Sequence, residues 1–161
     1  MQNDFITGSL GSKDAEKIVP NVVEKVKNFG GKVIFTRDTH FDDYMKTSEG
    51  KKLPVLHCVK DTDGWQICDE LKCFVETVID KITFGSIDLP KILEGYGEPI
   101  DEITLCGLCT DICVISNAML LKAAFPEVKI TVDASCCAGV SQDSHNTALN
   151  AMKAVQIEIE N

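Results

Sequence analysis

No apolar run in the 161 residues approaches the 18 or so needed to cross a bilayer, so no membrane partner is expected. Basic surplus is also missing. Sixteen lysines and arginines stand against 25 acidic residues, a net charge of −9, which leaves no cationic stripe to displace counterions from phosphates and argues against nucleic acid. The opening residues Met1-Gln2-Asn3-Asp4-Phe5 lack the basic-then-apolar form of a secretory leader, so a cytoplasmic setting is expected. Internal repeats, linkers and low-complexity tracts are absent. What remains is 44% hydrophobic and 25% charged residues, the mixture of an ordinary globular domain. A domain of this length hides roughly 70% of its unfolded surface, and a single domain over residues 1–161 is expected.

Eight cysteines are the compositional surplus. Without a leader they read as reduced thiols, most of them small buried hydrophobes, rather than a disulfide framework. Cys106 and Cys109 form a CxxC, but a four-cysteine zinc site needs a second chelating pair. Neither adjacent Cys136-Cys137 nor Cys68 and Cys73 has that spacing.

The apolar spacing predicts a helix over Ser12–Phe29, stopped by Gly30-Gly31 and blemished by Pro20, which marks a kink or a later start. Strands are predicted at 32–36, 75–82, 103–107, 128–134 and 156–159, and further helices at about 111–124 and 142–154. Strands alternating with helices imply βαβ units: an α/β, doubly wound, Rossmann-like parallel sheet with helices on both faces. Such a sheet usually begins with a strand. This chain begins with a polar loop and a helix, so the first central strand is missing from the pattern.

Three groups of residues could carry chemistry. Gly107-Leu108-Cys109-Thr110-Asp111-Ile112-Cys113-Val114 lies where a strand yields to a helix, at the carboxyl end of the sheet, where open α/β sheets place ligands. The positive end of a helix favours thiolate at Cys113, and its free N–H groups can hold an oxyanion; taken alone, Cys113 reads first as a small packed residue, a reading its surroundings weaken. Asp38 and His40, two apart on an extended segment, can point the same way, and Glu49 and His57 flank the same polar loop. That mixed nitrogen–oxygen set suits Zn²⁺, Fe²⁺ or Mn²⁺ better than Ca²⁺, against the plainer reading of hydrogen-bonded structural histidines. The third histidine, His145, reads as surface. Lys81 ends an apolar strand; it either snorkels to solvent or reaches Cys113 and holds the thiolate.

Together these pieces resemble the isochorismatase-like cysteine hydrolases, the group that includes nicotinamidases and N-carbamoylsarcosine amidase. Met1 to Phe5 is similar to the family's D-x-Q-N-D-F opening, Asp38-Thr39-His40 to its metal motif, and Pro54 to Cys58 to its second metal-ligand segment. Lys81 is similar to its catalytic lysine, Gly107 to Val114 to its G-x-x-T-D-x-C-V nucleophile motif, and Asp133-Ala134 with Gly139-Val140 to its usual ending. The resemblance implies Cys113 as nucleophile, Lys81 as second triad member and the N–H groups of Cys109 and Cys113 as oxyanion hole. It also implies a cis peptide between Leu108 and Cys109, Phe5 in the substrate pocket, and Asp38, His40 and His57 as metal ligands. Many members take a fourth ligand from a histidine soon after D-x-H; none stands there, and Glu49 is the candidate.

By that resemblance the chain is a cysteine amidohydrolase for a small amide, nicotinamide-like or carbamoyl, working through a thioester. It would carry one divalent metal and no organic cofactor, in a homo-oligomer. The rivals are a vinyl-ether-cleaving isochorismatase, which does not need the cysteine, a metal-free amidase, and a non-catalytic member. The last is raised by a departure from the pattern: the triad aspartate would fall two residues before Gln2, just ahead of Met1. The expectation is that the true start lies upstream, and that the chain as written is poorly folded or inactive for want of a central strand.

Overall fold

In a computed structural model describing residues 1–161, the chain runs α1 (Asn3–Ile6), α2 (Lys13–Asn28), β1 (Ile34–Asp38), α3 (Ser48–Lys52), α4 (Asp69–Lys72), β2 (Thr77–Lys81), α5 (Leu89–Gly95) and β3 (Glu102–Leu108). A π-helical turn (Thr110–Val114) then leads into α6 (Ile115–Ala124), β4 (Lys129–Ala138), α7 (Gln142–Ala154) and β5 (Glu158–Glu160). No helix is long and apolar enough to cross a membrane.

Local chemistry sets the main helices. The Ser12 hydroxyl accepts from the Ala15 amide, capping α2, and Asp14 and Glu16 in its first turn oppose Lys25 and Lys27 in its last, matching the helix dipole. Its buried stripe is Ala15, Ile18, Val19 and Val22. Pro20 neither breaks it nor delays its start: α2 is continuous from Lys13 to Asn28. Pro20 and Glu16 both lie on the exposed face, where the carbonyl orphaned by the missing N–H can bond water. Ser141 and Ser144 form a reciprocal capping box at the start of α7.

All strand pairings are parallel, as the alternating pattern requires. Along β4, Cys136 and Ala138 pack into the cluster under α2 with Phe35 and Leu108, while Cys137 packs into a second cluster with Leu121, Leu149 and Met152 from α6 and α7. Alternate residues of a strand face opposite sides, so helices cover the strands on both faces.

The strands do not form one continuous sheet. β1 pairs only with β2, and β3-β4-β5 form a separate set. Between β1 and β3 lies a cavity of about 710 Å³, lined by Ile34, Phe35 and Thr36 on one side and Ile103, Leu105 and Leu108 on the other. The sheet is therefore interrupted by a physical slot with an unpaired strand edge on each side. β4 runs four residues beyond its predicted end, through Ser135-Cys136-Cys137-Ala138, and a register shift between Leu105 and Gly107 lets β3 follow it.

Candidate active site

β1 and β2 pair in register so that Asp38 lies opposite Lys81. Side chains directly paired on parallel strands share a face, and here the Lys81 ammonium stands 3.3 Å from Asp38 Oδ1. The same ammonium donates to Cys113 Sγ at 3.4 Å and to the Thr83 carbonyl at 3.1 Å. Lys81 does not snorkel: it is 6% exposed, and Cys113 is 8% exposed. Burial alone would discharge Lys81, but the charges of Cys113 and Asp38 outweigh that and hold its pKa above the ordinary lysine value.

Cys113 enters from the neighbouring strand set. At Gly107, φ is +115°, a region L side chains avoid, and the Leu108–Cys109 peptide is cis. The chain then makes the π-helical turn that carries Cys113 into the first turns of the helical segment. Burial pushes the Cys113 thiol upward, while Lys81 pulls in the opposite direction. The helix-start argument for a thiolate therefore meets a desolvation cost larger than it anticipates, and Lys81 is the group that opposes that cost.

Asp38, His40, Glu49 and His57 converge, with one ligand atom from each lying within 4.8 Å of the others. His40 Nε2 is 3.6 Å from Asp38 Oδ2 and 3.8 Å from Glu49 Oε1; His57 Nε2 is 3.7 Å from the same Glu49 oxygen. Ligands at about 2.0–2.2 Å around a tetrahedral ion stand roughly 3.3–3.6 Å apart, close to these separations. His57 Nδ1 lies 2.8 Å from the Val55 carbonyl, which can only accept, so that nitrogen donates and Nε2 is the one turned toward Glu49. Buried His40 Nε2 has no hydrogen-bond partner, an arrangement that costs free energy unless a cation takes its lone pair. The donor set and that orphaned nitrogen thus fit a divalent metal. Without one, burial and then Asp38 raise the Glu49 carboxyl above its ordinary value, whereas Asp38, though burial acts the other way, is held low by His40 and Lys81.

Phe5 packs edge-on against His57, ring centroids 5.5 Å apart. Cys106 and Cys109 take no part in the cluster, and all eight cysteines are free.

Several residues that shape this site have no signal in the sequence beyond their place in a motif. Gln2, 2% exposed, donates to the Asp38 and Trp65 carbonyls (2.8 and 2.9 Å) and accepts from the Asp38 amide (2.7 Å), gripping the backbone that presents the first carboxylate. Asp4 accepts from the Cys58 amide at 2.7 Å, holding the left-handed turn just after His57. His145, expected at the surface, is half-buried, its Nδ1 paired at 2.8 Å with the hydroxyl of fully buried Thr110 beneath the nucleophile turn.

A family model described as "Isochorismatase domain" matches residues 1–161. No curated protein sequence matches the chain. Among solved structures, the pyrazinamidase of Pyrococcus horikoshii in complex with zinc is 26% identical, with TM-score 0.82 over 99% of this chain and 93% of that one. The nicotinamidase of Bacillus subtilis is 25% identical, with TM-score 0.85 over 99% and 94%. N-carbamoylsarcosine amidase from Thermoplasma acidophilum shares the fold at 24% identity and TM-score 0.80, over 100% and 91%.

Proposed function

The chain belongs to the isochorismatase family of hydrolases, and on that premise we propose that it is a cysteine-dependent amidohydrolase for a small amide of the nicotinamide or carbamoyl type. The observation that carries this reading is the buried Lys81–Cys113 contact of 3.4 Å at the carboxyl ends of β2 and β3.

Cys113 sulfur attacks the amide carbonyl carbon, and the backbone N–H groups of Cys109 and Cys113 receive the developing oxyanion. The thiol proton passes to the amide nitrogen, the C–N bond breaks, and ammonia leaves behind a thioester. Water then adds to the thioester, the C–S bond breaks, and acid and thiol are released. Lys81 stabilises the anionic sulfur in both halves. Phe5, beside His57, offers the substrate ring an apolar wall. Asp38, His40, Glu49 and His57 would hold one divalent cation, for which zinc, iron and manganese fit the donors. Such an ion would supply Lewis acidity toward a ring nitrogen of the substrate.

In this reading an aspartate carried on a strand seated in the slot between β1 and β3 shuttles the proton. The unpaired strand edges and apolar lining of that slot support the assignment. Assembly of copies goes with the same reading, supported by the exposed apolar side chains of Ile82, Ile87 and Val140; light scattering in solution tests it.

Ammonia release from nicotinamide tests the function. A chain extended upstream by an apolar strand ending in aspartate turns over, Cys113→Ala in that background does not, and the chain starting at Met1 is slower or inactive. Equal activity of the two lengths removes the assigned aspartate, and turnover by the Cys113→Ala protein removes the mechanism.

A further inference from the structure

Asn117 is buried one helical turn beyond Cys113 and takes no part in the chemistry above. Its side chain makes three hydrogen bonds. Oδ1 accepts from the Ser86 amide at 2.9 Å, and Nδ2 donates to the Phe84 carbonyl at 3.3 Å and to the Cys113 carbonyl at 2.8 Å. Both amide protons are thereby used. The first two partners belong to the loop that leaves β2 immediately after Lys81; the third is the backbone of the nucleophile itself.

The loop is pressed close to α6 where Asn117 holds it. A Cβ on Gly85 would lie 2.7 Å from Leu120 Cδ1 and 3.3 Å from Ser116 Cβ, so this backbone approaches the helix more nearly than a side chain comfortably allows. One residue earlier than Phe84, the Thr83 carbonyl accepts from the Lys81 ammonium. The contacts close a ring: Lys81 to Thr83, along the loop to Phe84 and Ser86, through Asn117 to the Cys113 backbone, and from Cys113 Sγ back to Lys81. Lys81 ends β2 and Cys113 lies in the turn that follows β3, and those two strands do not pair with each other. Their contact is therefore not fixed by a shared sheet register, and something else must fix it.

We propose that Asn117 is a positioning residue that docks the Thr83–Ser86 loop onto α6 and so sets the contact between the Lys81 ammonium and the Cys113 sulfur. It acts through those two groups and touches no substrate. The role assigned to Cys113 and Lys81 rests on the proposed function, but the docking can be read without catalysis.

Asn117→Ser separates the two halves of the clamp. A serine hydroxyl on a helix can still bond the carbonyl four residues back, here that of Cys113, but it cannot reach the loop. Asn117→Thr does the same while filling more of the space, and serves if the serine variant folds poorly by circular dichroism. Iodoacetamide labelling of the Cys113-containing peptide is followed by mass spectrometry across pH, because Cys73 is exposed and labels in parallel. The midpoint of Cys113 labelling should move to higher pH. Below it the rate should fall about fivefold, the factor carried by roughly one hydrogen bond. In a Lys81→Met background the same substitution should leave the midpoint where Lys81→Met alone puts it.

An equal shift in both backgrounds, or none in either, overturns the proposal and leaves Asn117 a structural residue. If nicotinamide is not hydrolysed by any form of the chain yet the cycle shows coupling, the docking stands and only the functional reading falls.

Discussion

Replacing Gln2 by methionine, a side chain of similar volume, removes three hydrogen bonds without opening a cavity. The bonds run to the Asp38 amide, the Asp38 carbonyl and the Trp65 carbonyl. The side chain is almost wholly buried, so water cannot replace them locally. Each buried polar group left unpaired costs about 1–3 kcal/mol. Allowing for some relaxation, the three together should cost about 3–5 kcal/mol, a large share of the roughly 5–15 kcal/mol that stabilises a domain. With a urea slope of about 2 kcal/mol/M, the unfolding midpoint falls by about 1.5–2.5 M. Urea titration followed by circular dichroism, with chelator present so that no cation contributes, measures this. A fall of under about 0.5 M, less than roughly 1 kcal/mol on that slope, would show that Gln2 does not hold the end of β1.

Glu49→Ala should weaken zinc binding by more than the roughly 10–100-fold that losing a ligand's hydrogen-bond partner costs, because it removes a donor; equilibrium dialysis showing unchanged affinity would exclude Glu49 as a ligand. Asp133 joins β4 to the last turn of α2 through Lys25 Nζ at 2.8 Å, and also accepts from Ser135 Oγ at 2.6 Å. Burial acts to raise its carboxyl, but Lys25 and Ser135 outweigh that and hold it below 3.8. A depressed carboxyl stabilises the fold above its unfolded value and loses that contribution as pH falls through the folded one. Wild type should therefore exceed Asp133→Asn in urea midpoint at neutral pH, with the gap closing below about pH 4. A gap that stays constant to acid pH contradicts the ion pair.

The elements that a single apolar period defines were legible in the sequence: α2, β1, β3 and α7 lie within a few residues of their expected places. β4 was read short because Ser135-Cys136-Cys137 breaks the pattern of β-branched residues, yet both cysteines pack as small hydrophobes on opposite faces. Pro20 does not mark a later start because the Glu16 carbonyl left without its N–H lies on the exposed face. The residues nearest the chemistry could be named because Cys113, Lys81, Asp38, His40 and His57 stand in motifs that resemble the family's in the same order, although each taken alone reads as structural. Gln2, Asp4, Asn117 and His145 could not be assigned their contacts, since each binds backbone or side chains 35 to 63 positions away, or bridges a loop 31 positions distant. Such long-range satisfaction of buried polar groups is visible only once the chain has closed.

The most direct test of Cys113 as nucleophile is rapid acid quench of the upstream-extended protein during nicotinamide turnover, with mass spectrometry of the Cys113 peptide. The account predicts a transient acyl adduct on that sulfur, discharged by water at the rate of acid formation. Turnover with no adduct on Cys113 at any time would contradict it.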